Sequence, residues 1–144
     1  MVRRALRKVV AGTTVLAVLA CGGFAADVSG TTLTVDGAPW TVVTCESGEA
    51  LGFAGVELTG EDGRRLRLQP QLDGQLAVVM MPADGVTGTQ LGVCGTGAFH
   101  QTGLTINDVT ALEGTAELAC KGEPSVEGSV RFGRCATPLL KNME

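Results

Sequence analysis

Beyond residue 30 the chain consists of short alternating runs of Val, Leu and Thr separated by glycine turns, with no sustained helical period of apolar residues. Side chains along a strand alternate between its two faces, so this pattern predicts strands with one buried face. The predicted strands are 31–35, 40–45, 54–58, 65–69, 75–81, 90–93, 104–106, 109–120 with a break near Gly114, and 126–134. Asp36-Gly37, Asp62-Gly63 and Asp73-Gly74 supply the turns, because both residue types tolerate the positive φ angles of tight hairpins. An antiparallel meander follows, and with it an all-β fold, a β-sandwich or a flattened barrel. Alternation directs Leu33, Val35, Leu66, Leu68, Leu118, Val130 and Phe132 inward, and Thr34, Arg65, Arg67, Glu117 and Arg131 outward. Glycine is twice as frequent as usual but has no fixed period, which argues against a solenoid.

The first residues have a different organisation. Met1 to Lys8 carry four positive charges, Val9 to Ala20 are apolar or small, and Cys21-Gly22-Gly23 follow. This is the order of a signal peptide: a basic region, an apolar core and a cleavage site. Twelve residues reach only about 18 Å as a helix, short of the roughly 30 Å of hydrocarbon a span must cross. The segment is therefore read as a removable leader over 1–20.

Val18-Leu19-Ala20-Cys21 resembles the lipobox of bacterial lipoproteins, with Leu19 where a smaller residue is more usual. The resemblance implies that Cys21 is diacylated and becomes the new N-terminus. Several acyl chains, each methylene contributing about 0.8 kcal/mol, make a stable anchor. Gly22 in place of Asp is, by the sorting rule of that family, the outer-membrane pattern. Two other exports compete. Cleavage after Ala25 would release a soluble, unlipidated module starting at Ala26, and Arg3-Arg4 with Leu6 and Lys8 partly matches a twin-arginine signal.

Five cysteines in an exported chain leave one over: Cys21, Cys45, Cys94, Cys120 and Cys135. Lipidation uses Cys21, and the remaining four form two disulfides in an oxidising compartment. No two lie close enough together to form a C-x-x-C zinc pair, so no metal site is expected. Of the three possible connectivities, Cys120–Cys135 is disfavoured. If 115–120 and 127–135 form one hairpin around Gly122-Glu123-Pro124-Ser125, these two lie at opposite ends of it, roughly 20 Å apart against a limit of about 7 Å. Cys45–Cys135 with Cys94–Cys120 is the favoured pairing.

Charge excludes other classes. Four of the eleven cationic residues, Arg3, Arg4, Arg7 and Lys8, fall in the leader, so seven remain against fifteen acidic residues, a net charge of −8. A surface with that balance repels phosphate backbones, and no basic run remains, so nucleic acid is not an expected partner. A single histidine, His100, leaves little for metal binding or for activating a cysteine.

Local motifs read as structural. Gly92-Val93-Cys94-Gly95-Thr96-Gly97 lacks the Gly-Lys-Ser/Thr ending of a phosphate loop and is read as a glycine-rich β-turn. Glu46, Glu49, Glu57, Glu61 and Asp62 could supply a glycosidase pair or calcium ligands but show no such spacing. The mature serines form no nucleophile elbow. Met80-Met81 is read as a core strand and Trp40 as a core anchor; an apolar patch exposed around either would favour protein binding.

The lipobox, the run Leu33-Thr34-Val35-Asp36-Gly37 leading to Cys45, and a last strand ending in Cys135 together resemble mycobacterial lipoprotein antigens and other small glycine-rich bacterial lipoproteins. That likeness implies an exposed β-domain with Cys45 bridged to Cys135. The expected organisation is a leader over 1–20, a lipidated Cys21 with a short tether over 21–30, one disulfide-stapled domain over 31–137, and a tail over 138–144. The expected role is non-enzymatic: a lipid-anchored envelope component, with the membrane and an envelope protein as partners, no catalytic residue and no cofactor. The alternative is a secreted binding or inhibitor module.

Overall fold

The computed structural model describes residues 26–51 and 53–136. The leader, Cys21, the first part of the tether and the C-terminal tail lie outside them. The described chain is all-β, nine antiparallel strands with one single-turn 3-10 helix, Leu72–Gly74. The strands are β1 (Thr32–Val35), β2 (Ala38–Trp40), β3 (Val42–Ala50), β4 (Phe53–Gly60), β5 (Arg65–Pro70), β6 (Gln75–Met81), β7 (Thr89–Ile106), β8 (Val109–Cys120) and β9 (Val126–Phe132).

They form one sheet in the order β2-β1-β9-β8-β3-β4-β5-β6-β7. From β3 to β7 it is a meander of sequential hairpins. The sheet then returns on itself, because β7 pairs with β6 over its first half and with β8 over its second. Along its other edge β8 pairs with β9 from Gly114 to Cys120, and with β3 through Glu49 and Thr110. The pairings thus trace a ring from β3 through to β8 and back.

At Asp36-Gly37 and Asp73-Gly74 both residues take positive φ, as the sequence predicts for hairpin turns. A third turn of this kind, Asn107-Asp108 between β7 and β8, completes a hairpin that sequence reading did not single out.

Inside the sheet lies one continuous apolar core. Leu33, Val35, Leu66, Leu68, Leu118, Val130 and Phe132, all predicted inward, are buried, together with Val56, Leu58, Leu76 and Val78. Phe132 meets Phe99 edge to face at 4.8 Å between ring centres. Trp40, from β2, is buried against Gly60 and donates its indole N–H to Asp62 at 3.1 Å. Met80 and Met81 are both buried, so neither these methionines nor Trp40 forms an exposed patch.

The main difference from the sequence reading is β7. Segments 90–93 and 104–106 belong to one strand of eighteen residues, and the break expected in β8 near Gly114 is absent. Glycines that read as turn signals instead let strands approach closely. A Cβ at Gly95 would lie 2.7 Å from Leu118 Cδ2, and one at Gly97 would lie 2.6 Å from the Thr115 carbonyl oxygen.

Disulfides Cys45–Cys135 and Cys94–Cys120 join β3 to the segment after β9, and β7 to β8. This is the pairing favoured from the sequence. Residues 26–30, assigned above to the tether, are attached to the domain: Asp27 exchanges backbone hydrogen bonds with Gly133, 2.8 Å each way.

Candidate functional site

Three features of the described surface carry polar chemistry or shape: an apolar cleft, a buried ionic cluster, and the carboxylate beneath Trp40. Each is built from strand pairing.

The cleft, of about 680 Å³, opens where the β7–β8 hairpin extends beyond β9. Leu104 and Ile106 of β7 form one wall, Ala111 of β8 the floor, and Thr44 of β3 with the Cys45–Cys135 bridge the opposite side. A register shift between Gln101 and Thr105 creates this wall by bulging β7 where it crosses Ala111. The β7 wall is exposed, Leu104 at 54% and Ile106 at 45%, while Ala111 is buried. Ala26 and Ala136, the first and last described residues, both line the cleft. Its polar groups are Thr44, Thr102, Glu113 and Arg134, and the Arg134 guanidinium lies 3.9 Å from Asp27. Such a surface suits an apolar contact with polar groups at its margin.

The ionic cluster occupies the opposite face of β3, β4 and β5 from the core. Cross-strand pairing aligns Glu46 with Glu57 and Glu57 with Arg67. The Glu57 carboxylate accepts from Arg67 Nε at 2.5 Å and lies 3.5 Å from Arg65 Nη1. Arg65 in turn donates through Nη2 to the Gly85 carbonyl at 2.7 Å, tying the β6–β7 loop over this face. Its Nε is buried with no partner among the described residues. Arg65 and Arg67, predicted outward, are accordingly only partly exposed, and Glu57 is buried. Burial, reinforced by the charge of Glu57 and opposed by Arg65, raises the Glu46 carboxyl above its ordinary value. Neither Glu46 nor Glu57 lines the apolar cleft or the two grooves that flank the domain, and Glu57 is committed to its two arginines.

Asp62 is the third feature. Burial acts to raise its carboxyl, but hydrogen bonds from the Arg64 side chain and backbone and from Trp40 outweigh it and hold the group below its ordinary value. It secures the β4–β5 turn against β2. Two further grooves flank the domain. One of about 760 Å³ runs along β1, β2 and β9 over Thr32, Thr34 and Pro39; another of about 620 Å³ lies beside Met80, Pro82 and Arg64.

Of the residues singled out from the sequence, the structure brings Cys45 with Cys135 and Cys94 with Cys120, while Cys21 lies outside the described residues. His100 is exposed on β7 opposite Glu113 of β8. Among the described residues no group of three His, Cys, Asp or Glu is placed to hold a metal ion, and no helix is long and apolar enough to cross a membrane.

Sequence reasoning missed the cleft. Its wall was visible in one respect: β7 contains no Asp, Glu, Lys, Arg or Pro from Thr89 to Ile106, which is unusual for a strand with so many exposed positions. Compared with protein-family models, with curated proteins and with solved structures, the chain matches none.

Proposed function

We propose that this is a bacterial envelope lipoprotein, anchored through Cys21 and acting by non-enzymatic binding as a component of a cell-envelope complex. One observation carries the reading. The two disulfides use Cys45, Cys94, Cys120 and Cys135, so the single cysteine left over is the one that closes a lipobox-like sequence after an apolar leader. Two bridges within one small domain also fit an oxidising, extracytoplasmic compartment. A binding role is supported by how the ionisable groups are used: the Glu57 and Asp62 carboxylates pair with arginines of the domain itself. Gly22 after the lipobox, rather than Asp, makes the outer membrane the proposed location.

The test is the intact mass of the protein recovered from membranes and from medium, under non-reducing conditions, for the natural chain and Cys21→Ala. Acyl mass on Cys21 with four oxidised cysteines is the expected result. A soluble form beginning at Ala26 would overturn the anchor and leave a secreted binding or inhibitor module as the reading.

A further inference from the structure

We infer that the cleft end of the domain is its membrane-resting face, with Leu104 and Ile106 entering the interfacial layer of the bilayer that holds the anchor. The inference rests on the proposal that Cys21 carries the lipid, and deepens it by fixing how the domain sits on the membrane.

Tether length is the first argument. Cys21 and Ala26 are five residues apart, a reach of at most about 18 Å when fully extended. Ala26 is itself part of the cleft wall, and Asp27 beside it is hydrogen-bonded to Gly133. A domain of this size has a radius of gyration of roughly 13 Å, so it is wider than the tether is long. The bilayer surface therefore lies within tether reach of the cleft and out of reach of the opposite end.

The surface facing that way has the required chemistry. Leu104 and Ile106 are about half exposed on the bulged part of β7, and that strand has no charge to desolvate. Half-exposed branched aliphatic side chains gain from leaving water, whereas an ionised group lowered with them would oppose it. The charges nearest this surface are few: Arg134, beside Asp27, and Glu113 line the cleft, and Asp108 sits in the hairpin turn two residues after Ile106. With a net charge of −8 the mature chain is repelled by anionic lipid rather than drawn to it, so the contact rests on the apolar side chains and not on attraction to headgroup charge.

The test couples the mature chain, beginning at Cys21, through that thiol to maleimide-bearing phosphatidylcholine vesicles, the other four cysteines being in disulfides. Hydrogen exchange is compared with the same protein capped at Cys21 and free in solution. Residues 101–110 should exchange about tenfold more slowly on vesicles, the Glu61–Arg64 turn should not change, and Leu104→Ser with Ile106→Ser should abolish the difference while both disulfides remain. Equal exchange over 101–110 in the two states overturns the inference, as does slowing that survives the double substitution or that falls on the Glu61–Arg64 turn instead. Because the tether is made chemically, these outcomes stand apart from whether cells acylate Cys21, which the intact mass decides.

Discussion

The hydroxyl of Ser47 donates to the Leu112 carbonyl at 3.0 Å and accepts from the Leu112 amide at 3.2 Å. A side chain thus stands in for a strand partner at the seam where β8 returns to β3. The Ser47 amide is meanwhile bonded to the Ala136 carbonyl at 2.9 Å, so β3 is held on this edge by the residues after β9 as well. Thr31 repeats the device, donating to and accepting from the backbone of Arg131 where β1 begins beside β9. Short hydroxyl side chains complete the sheet where strand register cannot.

Ser47→Ala removes both bonds and leaves the amide and carbonyl of buried Leu112 unpaired, at a cost of about 1–3 kcal/mol for each group left unsatisfied. Urea unfolding should show the loss. Hydrogen exchange should show it locally, as faster exchange at Leu112 with Leu58 and Leu66 unaffected. A variant as stable as the natural chain would mean that the seam is held by Cys45–Cys135 and the backbone bonds around it, without the Ser47 hydroxyl.

Gly60 lies directly under the indole ring of Trp40, and a Cβ there would overlap it. Its φ is not in the left-handed region, so Gly60→Ala tests packing alone. The expected cost is about 1–3 kcal/mol, the usual range for overpacking. Trp40 is the only tryptophan, so its fluorescence reports the site directly. Its emission should shift to longer wavelength as the ring lifts from the core and its bond to Asp62 lengthens. An unchanged spectrum and stability would show that β2 gives way without cost.

Cys45–Cys135 closes a loop of 90 residues and Cys94–Cys120 one of 26. In the chain-entropy description these loops contribute about 4.6 and 3.5 kcal/mol respectively. Replacing Cys45 and Cys135 together by Ala should therefore destabilise the domain more than replacing Cys94 and Cys120, by about 1 kcal/mol. Cys45 and Cys135 also form one side of the apolar cleft, so their loss adds a packing defect in the same direction. Equal denaturant midpoints for the two variants would contradict both arguments.

Alternation made much of the fold legible. Leu66 and Leu68 are buried while Arg65 and Arg67, alternating with them, face away from the core, because a strand offers no other arrangement. Asp36-Gly37 and Asp73-Gly74 were readable because few other pairs adopt those φ angles. What alternation cannot show is which strands meet. Gly95 and Gly97 read as turn residues, yet they serve close approach between β7 and its neighbours, which depends on Leu118 and Thr115 about twenty residues away. The cleft is of the same kind: Leu104, Ala111, Thr44 and Ala26 come from four separate parts of the chain. Glu57, Arg65 and Arg67 lie on adjacent strands, but the bond of Arg65 to the Gly85 carbonyl depends on a loop twenty residues further along the chain.

The two shifted carboxyls on β3 and at the β4–β5 turn predict opposite pH behaviour. Asp62 is held below its ordinary value, so the stability it contributes is fully present above the unfolded value of 3.8 and is lost as pH falls through the folded one. Asp62→Asn should destabilise the domain at pH 7 by no more than about 1 kcal/mol, since the pair with Arg64 is substantially exposed. That difference should vanish in acid. Glu46 is raised, chiefly by burial and then by Glu57, so its charged form is disfavoured by folding at neutral pH. As pH falls through its folded value that penalty disappears, because the folded state takes up the proton more readily than the unfolded chain. Glu46→Gln should therefore stabilise the domain at pH 7, with a benefit that shrinks on acidification. Denaturant midpoints for both variants at pH 7 and in acid give the comparison, and a Glu46→Gln variant that is destabilised at pH 7 would mean that the Glu46 charge is held by Arg65 rather than opposed by Glu57.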